Sequence, residues 1–291
     1  MNEPCGDRCS LGEALIYRLA RTIEDGIVAF HGFGSPLVQL ALHVARQTHA
    51  PNLALVAGAT YAVNPMPPFL APTSNDWVMD RGAECRLDIE ELFDLAAAGR
   101  LGRMFLSGLQ IDCWGNLNTT RLGTDALRLK LPGGGGGCNL ACDARHLTLW
   151  TAAHRAVSDG RGPRRFRLVE RCDFITSPGH RAADGRTRQD LGLIGDGPDW
   201  LITELGVFDF DASGHARLRE VFPDTDAALV QANTEFGFPI SEPVATIPLP
   251  PVEVCALIRR LDPLRVHERE LRPEDRLRSF SGPECCPERC A

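Results

Sequence analysis

The sequence lacks an excess of basic charge, a long apolar run and a secretory leader. Its 291 residues carry a net charge of −7 and a single lysine, Lys130. Because phosphate binding requires a basic face, we expect no nucleic-acid partner. No run of about 18 apolar residues occurs, so we expect no membrane span. The first residues have neither a basic flank nor an apolar segment, and we therefore expect a cytoplasmic protein.

Metal ligands at recognisable spacings are also missing. The eleven cysteines are odd in number and scattered, unlike the framework of a small secreted domain. None of the pairs near the two ends has a C-x-x-C spacing; the cysteines concerned are Cys5, Cys9, Cys285, Cys286 and Cys290. The eight histidines show no metal-ligand spacing either. We therefore expect no metal site, and we interpret the terminal cysteines as reduced thiols.

Alternating helical and strand patterns predict an α/β fold. Ser10 and Glu13 form a capping box at the start of a helix that ends at Gly26. A βαβ unit follows, because residues 27–30, 36–48 and 52–57 have the patterns of strand, helix and strand. Such a unit indicates an open, mostly parallel sheet that is covered by helices on both faces.

Later segments continue this alternation without a visible repeat. A second capping box, Asp88 and Glu91, opens a helix that stops at Gly99. Further strands are predicted at 103–108, 146–152, 165–170, 199–205 and 206–210, and further helices at 224–233 and 251–262. We divide the chain into an N-terminal tail (1–9), one α/β domain (10–265) and a polar C-terminal tail (266–291).

The turn "HGFGSPL" (31–37) stands where a dinucleotide-binding fingerprint would stand. Leu37 replaces its third glycine, and no acidic residue follows about 20 positions later. We therefore expect no dinucleotide cofactor. Ser35 and Pro36 are well suited to cap and open the next helix, and the turn's amides remain possible anion contacts.

A run of five glycines is the strongest local signal of a ligand site. It consists of Gly133, Gly134, Gly135, Gly136 and Gly137 and is followed by Asn139. A flexible linker is the alternative, but linkers are flanked by Ser, Pro or charge and not by "RLKL" and "CNLACDA". Glycine lets the backbone approach a ligand closely, so these amides are predicted to polarise a carbonyl or hold an oxyanion.

Side-chain amides and carboxylates are concentrated just before the glycines. Gln110, Asp112 and Asn116 lie in "GLQIDCWGNLNTTRLG" (108–123). Bonds that stabilise turns would explain them. Their position beside the glycine run favours the other interpretation, that they form the wall of a binding pocket.

Six segments together resemble the β subunit of class I CoA-transferases, of which glutaconate CoA-transferase is a familiar member. They are "SPLVQLALHVARQTHAPNLALV", "GLQIDCWGNLNTT", "LPGGGGGCNLA", "RLVERCDFITSPGH", "LITELGVFDFD" and "IRRLDP". The resemblance covers roughly residues 10–265. It implies an open α/β fold shared with sugar-phosphate isomerases, a heteromer with an α-type subunit (αβ or α₂β₂), and an acyl-CoA substrate. Coenzyme A would then enter as part of the substrate and not as a cofactor.

The sequence departs from this family at the residue that carries the chemistry. A transferase β subunit attacks the thioester with a glutamate that follows the strand after "HAPN", but Ala57 or Gly58 stands there. Shifting the alignment does not help, because residues 26–75 contain no Asp or Glu. The stretch "AGATYAVNPMPPFLAPTSNDW" (57–77) instead resembles the β subunit of a two-subunit hydrolase that opens steroid rings.

That second resemblance implies a reverse-Claisen reaction. A glutamate of the α-type partner would activate water, which would cleave a C–C bond of a cyclic β-keto acyl-CoA in steroid (cholesterol-type) catabolism. This chain would contribute a pocket wall, the glycine-run amides and no catalytic residue. The hydroxyls of Thr60 and Tyr61 would orient water or a carbonyl, although loop packing explains both equally well.

Two alternatives stay open at this point. The chain is either a CoA-transferase subunit with another nucleophile or a non-catalytic scaffold subunit that binds acyl-CoA. A covalent acyl adduct on this chain would favour the first alternative. Catalysis that survives Gly135→Val would favour the second, since a branched side chain should block a ligand that approaches the glycine run.

Overall fold

The computed structural model describes residues 8–123, 128–158, 160 and 164–281. The α-helices in these ranges are α1 (Leu11–Ala20), α2 (Pro36–Gln47), α3 (Ile89–Ala97), α4 (Gly137–Asp143), α5 (Ala227–Ala232) and α6 (Val252–Leu261). Short 3-10 helices span Trp77–Asp80, Val266–Glu270 and Asp275–Leu277. No helix in the described ranges combines the length and the apolar character needed to cross a bilayer.

The strands of the described ranges form one large sheet and three small ones. In chain order they are β1 (Arg8–Ser10), β2 (Val28–His31), β3 (Ala54–Val56), β4 (Ala62–Val63), β5 (Cys85–Arg86), β6 (Leu101–Leu106), β7 (Gln110–Asp112), β8 (Leu117–Asn118), β9 (Arg121–Leu122), β10 (Leu129–Lys130), β11 (His146–Thr151), β12 (Leu168–Val169), β13 (Pro198–Thr203), β14 (Gly206–Phe210), β15 (Ala216–Val221), β16 (Ile240–Thr246) and β17 (Ser279–Ser281).

The large sheet has ten strands in the order β16-β15-β14-β13-β11-β6-β2-β3-β4-β5. The five central strands of this sheet are parallel; they are β13, β11, β6, β2 and β3. Antiparallel pairs extend the sheet on both sides, through β4 and β5 on one side and through β14 and β15 on the other, where β16 is added parallel to β15 as the edge strand. The prediction of an open, mostly parallel sheet is confirmed.

Alternating side chains of the central strands pack against helices on opposite faces of the sheet. Phe105 and Trp150 belong to a buried cluster with the apolar residues of α1, α2 and α6. The sequence neighbour of Phe105 on β6, Met104, belongs to a cluster with α3 and α4. Because successive strand residues point to opposite faces, this division indicates helices on both sides.

The predicted helix starts are largely confirmed. Ser10 Oγ accepts from the Glu13 amide at 3.2 Å, and Glu13 Oε2 accepts from the Ser10 amide at 2.7 Å. The Asp88–Glu91 capping box is also present. Ser35 is different, because its side chain makes no capping hydrogen bond to α2. A residue far along the chain supplies that bond instead, as described below.

Residues 266–281, the described part of the predicted C-terminal tail, pack against the rest of the chain. The domain boundary predicted at residue 265 is therefore wrong. Val266, Leu271 and Phe280 are buried, and β17 pairs with β1 in antiparallel register. A Cβ built on Gly12 of α1 would lie 2.7 Å from the His267 ring, so this segment is closely packed. Apolar residues spaced too irregularly for one helix or strand are the reason that the sequence pattern concealed it.

Candidate active site

The central parallel strands deliver three loops to one edge of the large sheet. β2 ends at His31 and continues as Gly32–Ser35, β6 ends at Leu106 before Ser107, and β11 ends at Thr151. In open α/β sheets, ligands bind outside the carboxyl ends of the strands. This edge is therefore where a substrate site is expected.

Three neighbouring cavities open at this edge, and Glu270 lines all of them. The first has a volume of about 240 Å³ and includes Gly32–Ser35 and Ser107 in its wall. The second, of about 220 Å³, includes Ser107, Trp150 and Arg167. The third, also of about 220 Å³, lies between Phe33 and residues 71–74. A larger cavity of about 460 Å³ lies at the other end of α2, away from the strand ends.

Glu270 supplies the cap that Ser35 does not make. The Leu37 amide in the first turn of α2 donates to Glu270 Oε2 at 2.8 Å. Within the described residues, no partner is found for the other oxygen, Oε1. Burial raises the pKa of Glu270 to about 8, against the smaller opposing effect of the Leu37 amide. Although residues 26–75 contain no Asp or Glu, Glu270 places a carboxylate at this edge of the sheet.

Positive charge stands beside the second cavity. Arg167 Nη1 donates to the Gly108 carbonyl at 3.2 Å, and Arg272 Nη2 donates to the Ala153 carbonyl at 3.1 Å. Burial lowers the pKa of Arg167, and the charge of Arg272 lowers it further. Two guanidinium groups near a cavity lined by Glu270 can attract an anionic part of a ligand.

The position of the missing transferase glutamate is tightly packed. Ala57 is buried, and a Cβ built on Gly58 would lie 2.2 Å from the His31 carbonyl oxygen. His31 Nε2 accepts from the Gly58 amide at 3.1 Å, while Nδ1 donates to the Gly32 carbonyl at 2.8 Å. Burial lowers the pKa of His31 to about 4. A neutral His31 therefore joins the loops that follow β2 and β3.

Thr60 and Tyr61 lie in the turn after that position and line none of the three cavities. Tyr61 has a left-handed backbone (φ 55°), and its ring stacks on Phe30 with 6.4 Å between centroids. Thr60 Oγ1 is buried and has no hydrogen-bond partner in the described part of the chain. Packing against Phe30 explains the presence of Tyr61. The Thr60 hydroxyl makes no hydrogen bond in the described ranges that would explain its presence.

The glycine run approaches the same sheet edge from the side of β6. A Cβ built on Gly136 would lie 2.6 Å from Phe93 Cζ, and one on Gly137 would lie 3.4 Å from Leu106 Cδ2. Gly133 and Gly135 have left-handed φ values of 94° and 50°. The run is therefore a packed turn leading into α4 and not a linker.

Some backbone amides of the glycine run already donate hydrogen bonds to protein carbonyls. The Gly133 amide donates to the Thr119 carbonyl, and the Gly137 amide donates to the Gly134 carbonyl, both at 2.8 Å. The amides of residues 134–136 have no acceptor among the described residues. Asn139, by contrast, is exposed and accepts from the Cys138 thiol. None of the five glycines lines the three cavities, and the role of the three remaining amides in ligand binding stays a prediction.

Gln110, Asp112 and Asn116 form protein contacts that stabilise turns. Asp112 Oδ1 accepts from the amides of Trp114 and Asn116, both at 3.0 Å. Asn116 spans to the loop around residues 179–181, and Gln110 Oε1 accepts from Asn118 Nδ2 at 2.7 Å. None of the three lines the cavities at the strand ends. Their role in ligand binding stays a prediction.

One cluster of possible metal ligands occurs in the described ranges, namely Cys9, Glu13 and Cys255, whose ligand atoms lie within 4.8 Å of one another. Glu13 Oε1 already accepts from Arg259 Nε at 2.6 Å. A guanidinium at that distance repels a cation, so we interpret the cluster as an ion pair beside two buried thiols. Cys5, Cys285, Cys286 and Cys290 lie outside the described residues.

Known proteins of similar sequence are subunits of CoA-transferases. No family model matches the chain. The β subunit of the 3-oxoadipate CoA-transferase of Pseudomonas knackmussii is 29% identical over 260 residues, which cover 87% of this chain and 93% of that protein. The β subunit of the glutaconate CoA-transferase of Acidaminococcus fermentans is 29% identical over 258 residues, which cover 84% and 90%.

Solved structures of this fold include enzymes that are not named as transferases. The decarboxylase AibA/AibB is 32% identical, with a TM-score of 0.76 and coverage of 90% of this chain and 98% of that one. IpdAB of Rhodococcus jostii is 20% identical, with a TM-score of 0.74 and coverage of 91% and 99%, and supports the fold alone. This chain belongs to the CoA-transferase β-subunit family, as its sequence segments predicted.

Sequence reasoning missed Glu270, Ser107 and Arg167 as residues of this edge. Glu270 was assigned to the polar tail, and its partner Leu37 is 233 residues away in sequence. A usable signal exists, because Val266 and Leu271 are apolar positions that flank Glu270 in an otherwise charged segment. No comparable signal distinguishes Arg167 from the other arginines.

Proposed function

We propose that this chain is the β subunit of a heteromeric enzyme that opens a ring of a cyclic β-keto acyl-CoA by C–C bond hydrolysis, as in steroid catabolism. An α-type subunit supplies the base that activates water. The observation that carries the proposal is the absence of a carboxylate at Ala57 and Gly58 within a CoA-transferase-family chain. Without that carboxylate, the family's acyl-enzyme mechanism has no nucleophile at its usual place.

Packing around this position supports the same interpretation. A side chain at residue 58 would collide with the His31 and Gly32 carbonyl oxygens, at 2.2 and 2.6 Å. Ala57 is part of the main buried cluster. Position 58 therefore has no room for a side chain, which supports a mechanism that uses groups from elsewhere.

The glycine run is proposed to hold the thioester. When the C–C bond breaks, charge develops on the thioester oxygen, and backbone amides directed at that oxygen stabilise it. The three amides of residues 134–136 without an acceptor in the described ranges suit this role. Arg167 and Arg272 are proposed to attract an anionic group of the substrate.

Decarboxylation of an acyl-CoA is the second candidate function. It is favoured by the 32% identity with the decarboxylase AibA/AibB over almost all of that chain. If the carboxylate is attached to the carbon next to the thioester, both reactions break a C–C bond and leave the electron pair on that carbon. The two functions thus make the same demand on this site and differ in the group that leaves.

The test is the mass of the product formed by the complex of this chain with its α-type subunit. A cyclic β-keto acyl-CoA and a carboxylated acyl-CoA are incubated separately with the complex and analysed by mass spectrometry. Gain of one water on the cyclic substrate supports ring opening, whereas loss of carbon dioxide on the other supports decarboxylation. If CoA moves only to an added carboxylic acid, both proposals are wrong and the transferase alternative is correct.

A further inference from the structure

Glu270 is the titratable side chain that the three cavities at the strand ends have in common. Its position is fixed by the bond from the Leu37 amide to Oε2, so the carboxyl group is oriented and not free to rotate into solvent. Oε1 has no protein partner among the described residues. One oxygen is thus held by the scaffold and the other is available to the cavity.

A capping role alone does not explain a carboxylate at this place. A serine already stands at the N-cap position of α2, yet Ser35 Oγ is buried without a partner in the described ranges. An ordinary cap by Ser35 would satisfy the helix with a short local residue. The chain instead brings a glutamate across 233 positions and partly buries it next to the cavities, at a cost in desolvation.

We propose that Glu270 is a catalytic acid of this site, which delivers a proton to the carbon next to the thioester after the C–C bond breaks. This inference rests on the proposed function and holds for both of its reactions, since each leaves a carbanion on that carbon. Glu270 is not proposed as a nucleophile.

With Glu270 as the acid, every proton transferred in the ring-opening reaction is accounted for. The partner's base removes a proton from water as its oxygen attacks the ring ketone. The C–C bond to the α-carbon breaks, and its electron pair stays on that carbon, stabilised by the thioester. Glu270 gives its proton to the α-carbon and becomes a carboxylate, which then takes up the proton held by the base. The sum is the addition of one water.

The surroundings favour the acid form at neutral pH. Burial raises the pKa of Glu270 to about 8, so most molecules carry the proton at pH 7. The charged groups on the surrounding elements are Arg167 and Arg269, which line two of the cavities, and Arg272 next to Ala153. Burial raises the pKa of Glu270, and the bond from the Leu37 amide opposes this shift.

The first experiment measures proton transfer separately from bond cleavage. Butyryl-CoA in D₂O is incubated with the complex near pH 8, where both forms of Glu270 are present. The Glu270 carboxylate removes an α-proton, the resulting carboxyl exchanges with solvent, and it returns a deuteron to the α-carbon, which is followed by mass spectrometry. We expect exchange with the wild-type complex and a fall of about 10²–10⁴-fold for Glu270→Gln. Gln can still accept the Leu37 bond, so its thermal unfolding should match the wild type. Glu268→Gln, in the same 3-10 helix but paired with Arg265, is the matched control and should exchange normally.

The second experiment uses turnover and its pH dependence. Since the acid form is required, kcat of the wild type should decline as the pH rises through about 8, and the residual activity of Glu270→Gln should not show this limb. Equal exchange by wild type and Glu270→Gln, or an acyl adduct trapped on Glu270 with hydroxylamine, would overturn the inference. Exchange that depends on Glu270 without any C–C cleavage would refute only the proposed function.

Discussion

At the scale of single residues, contacts to backbone atoms fix the candidate site more firmly than contacts to side chains do. Gly58 lies against two carbonyl oxygens, and His31 joins their loop to the next one. Backbone atoms cannot move aside as the end of a flexible side chain can. Substitutions at such positions should therefore change stability before they change catalysis.

Gly58→Ala tests this point. The added methyl would lie 2.2 Å from the His31 carbonyl oxygen, and we expect a loss of at least the ~1–3 kcal/mol typical of overpacked cores. Urea unfolding of the purified protein measures the change. Gly32→Ala is the control, because a Cβ there meets nothing within 4 Å and should shift stability by less than about 0.5 kcal/mol. Similar midpoints for the two variants would contradict the prediction.

His154 should make the protein sensitive to acid. The ring is buried between the hydroxyls of Thr203 and Thr234, at 2.9 Å from each, and burial lowers its pKa to about 3. The unfolded chain takes up a proton near pH 6.5 while the folded chain does not, so stability falls as the pH drops from about 6.5 towards 3.

One titrating group changes the free energy of unfolding by at most ~1.4 kcal/mol per pH unit. In His154→Gln that contribution should disappear, so the stability difference from wild type should shrink as the pH falls. Urea unfolding at a series of pH values between 7 and 4 provides the comparison. Parallel curves for the two proteins would show that His154 does not carry the acid sensitivity.

At the scale of elements, local signals predicted the fold well and long-range pairings poorly. Capping boxes at α1 and α3 and the βαβ pattern of β2, α2 and β3 depend on neighbours in sequence, and each is present. The strands β15 and β16 were missed, because β15 is charged along its exposed face and β16 contains a proline. Their pairing depends on partners that no local pattern identifies.

In the candidate site, too, features with a local sequence signal were predicted and those that depend on long-range contacts were missed. The glycine run was visible as a sequence feature, and Gly137 lies beside Leu106 at the end of β6, but the run lines none of the three cavities and its ligand role stays a prediction. Glu270 was not visible, since its meaning depends on a hydrogen bond to Leu37 across 233 positions. Composition grouped it with other charged residues, whereas its half-buried position among the strand ends is the basis of its proposed role.

The element formed by residues 266–281 should be required for folding. Val266, Leu271 and Phe280 are each at most 6% exposed, and burying three such side chains contributes roughly 5–9 kcal/mol. That is comparable to the whole net stability of about 5–15 kcal/mol for a domain. A chain ending at residue 265 should therefore be recovered unfolded or aggregated, whereas one ending at residue 281 should give a normal circular dichroism melt. A folded, soluble chain from the shorter form would restore the tail interpretation.

At the scale of the whole molecule, apolar side chains are left uncovered around the candidate site. Phe33 is 70% exposed and lines two of the three cavities, and Trp77 is 78% exposed just beyond the loop that lines the third. Aromatic residues that stand in solvent next to a site are typical of interface anchors. They are the positions at which the proposed α-type subunit would cover the strand ends and bring its base to the substrate.

Phe33→Ser should therefore weaken the assembly and not the chain itself. The side chain is mostly in solvent, so the thermal unfolding of the isolated chain should change little, while loss of an interface anchor should raise the dissociation constant for the α-type subunit by about tenfold or more. Leu277→Ser is the matched control, since Leu277 is 85% exposed in the 3-10 helix Asp275–Leu277 and lines none of the three cavities. Isothermal titration or co-purification of the two subunits measures the difference. If both variants bind the partner equally well, the exposed ring beside the strand ends is not part of the interface, and the partner's base must reach the cavities from another side.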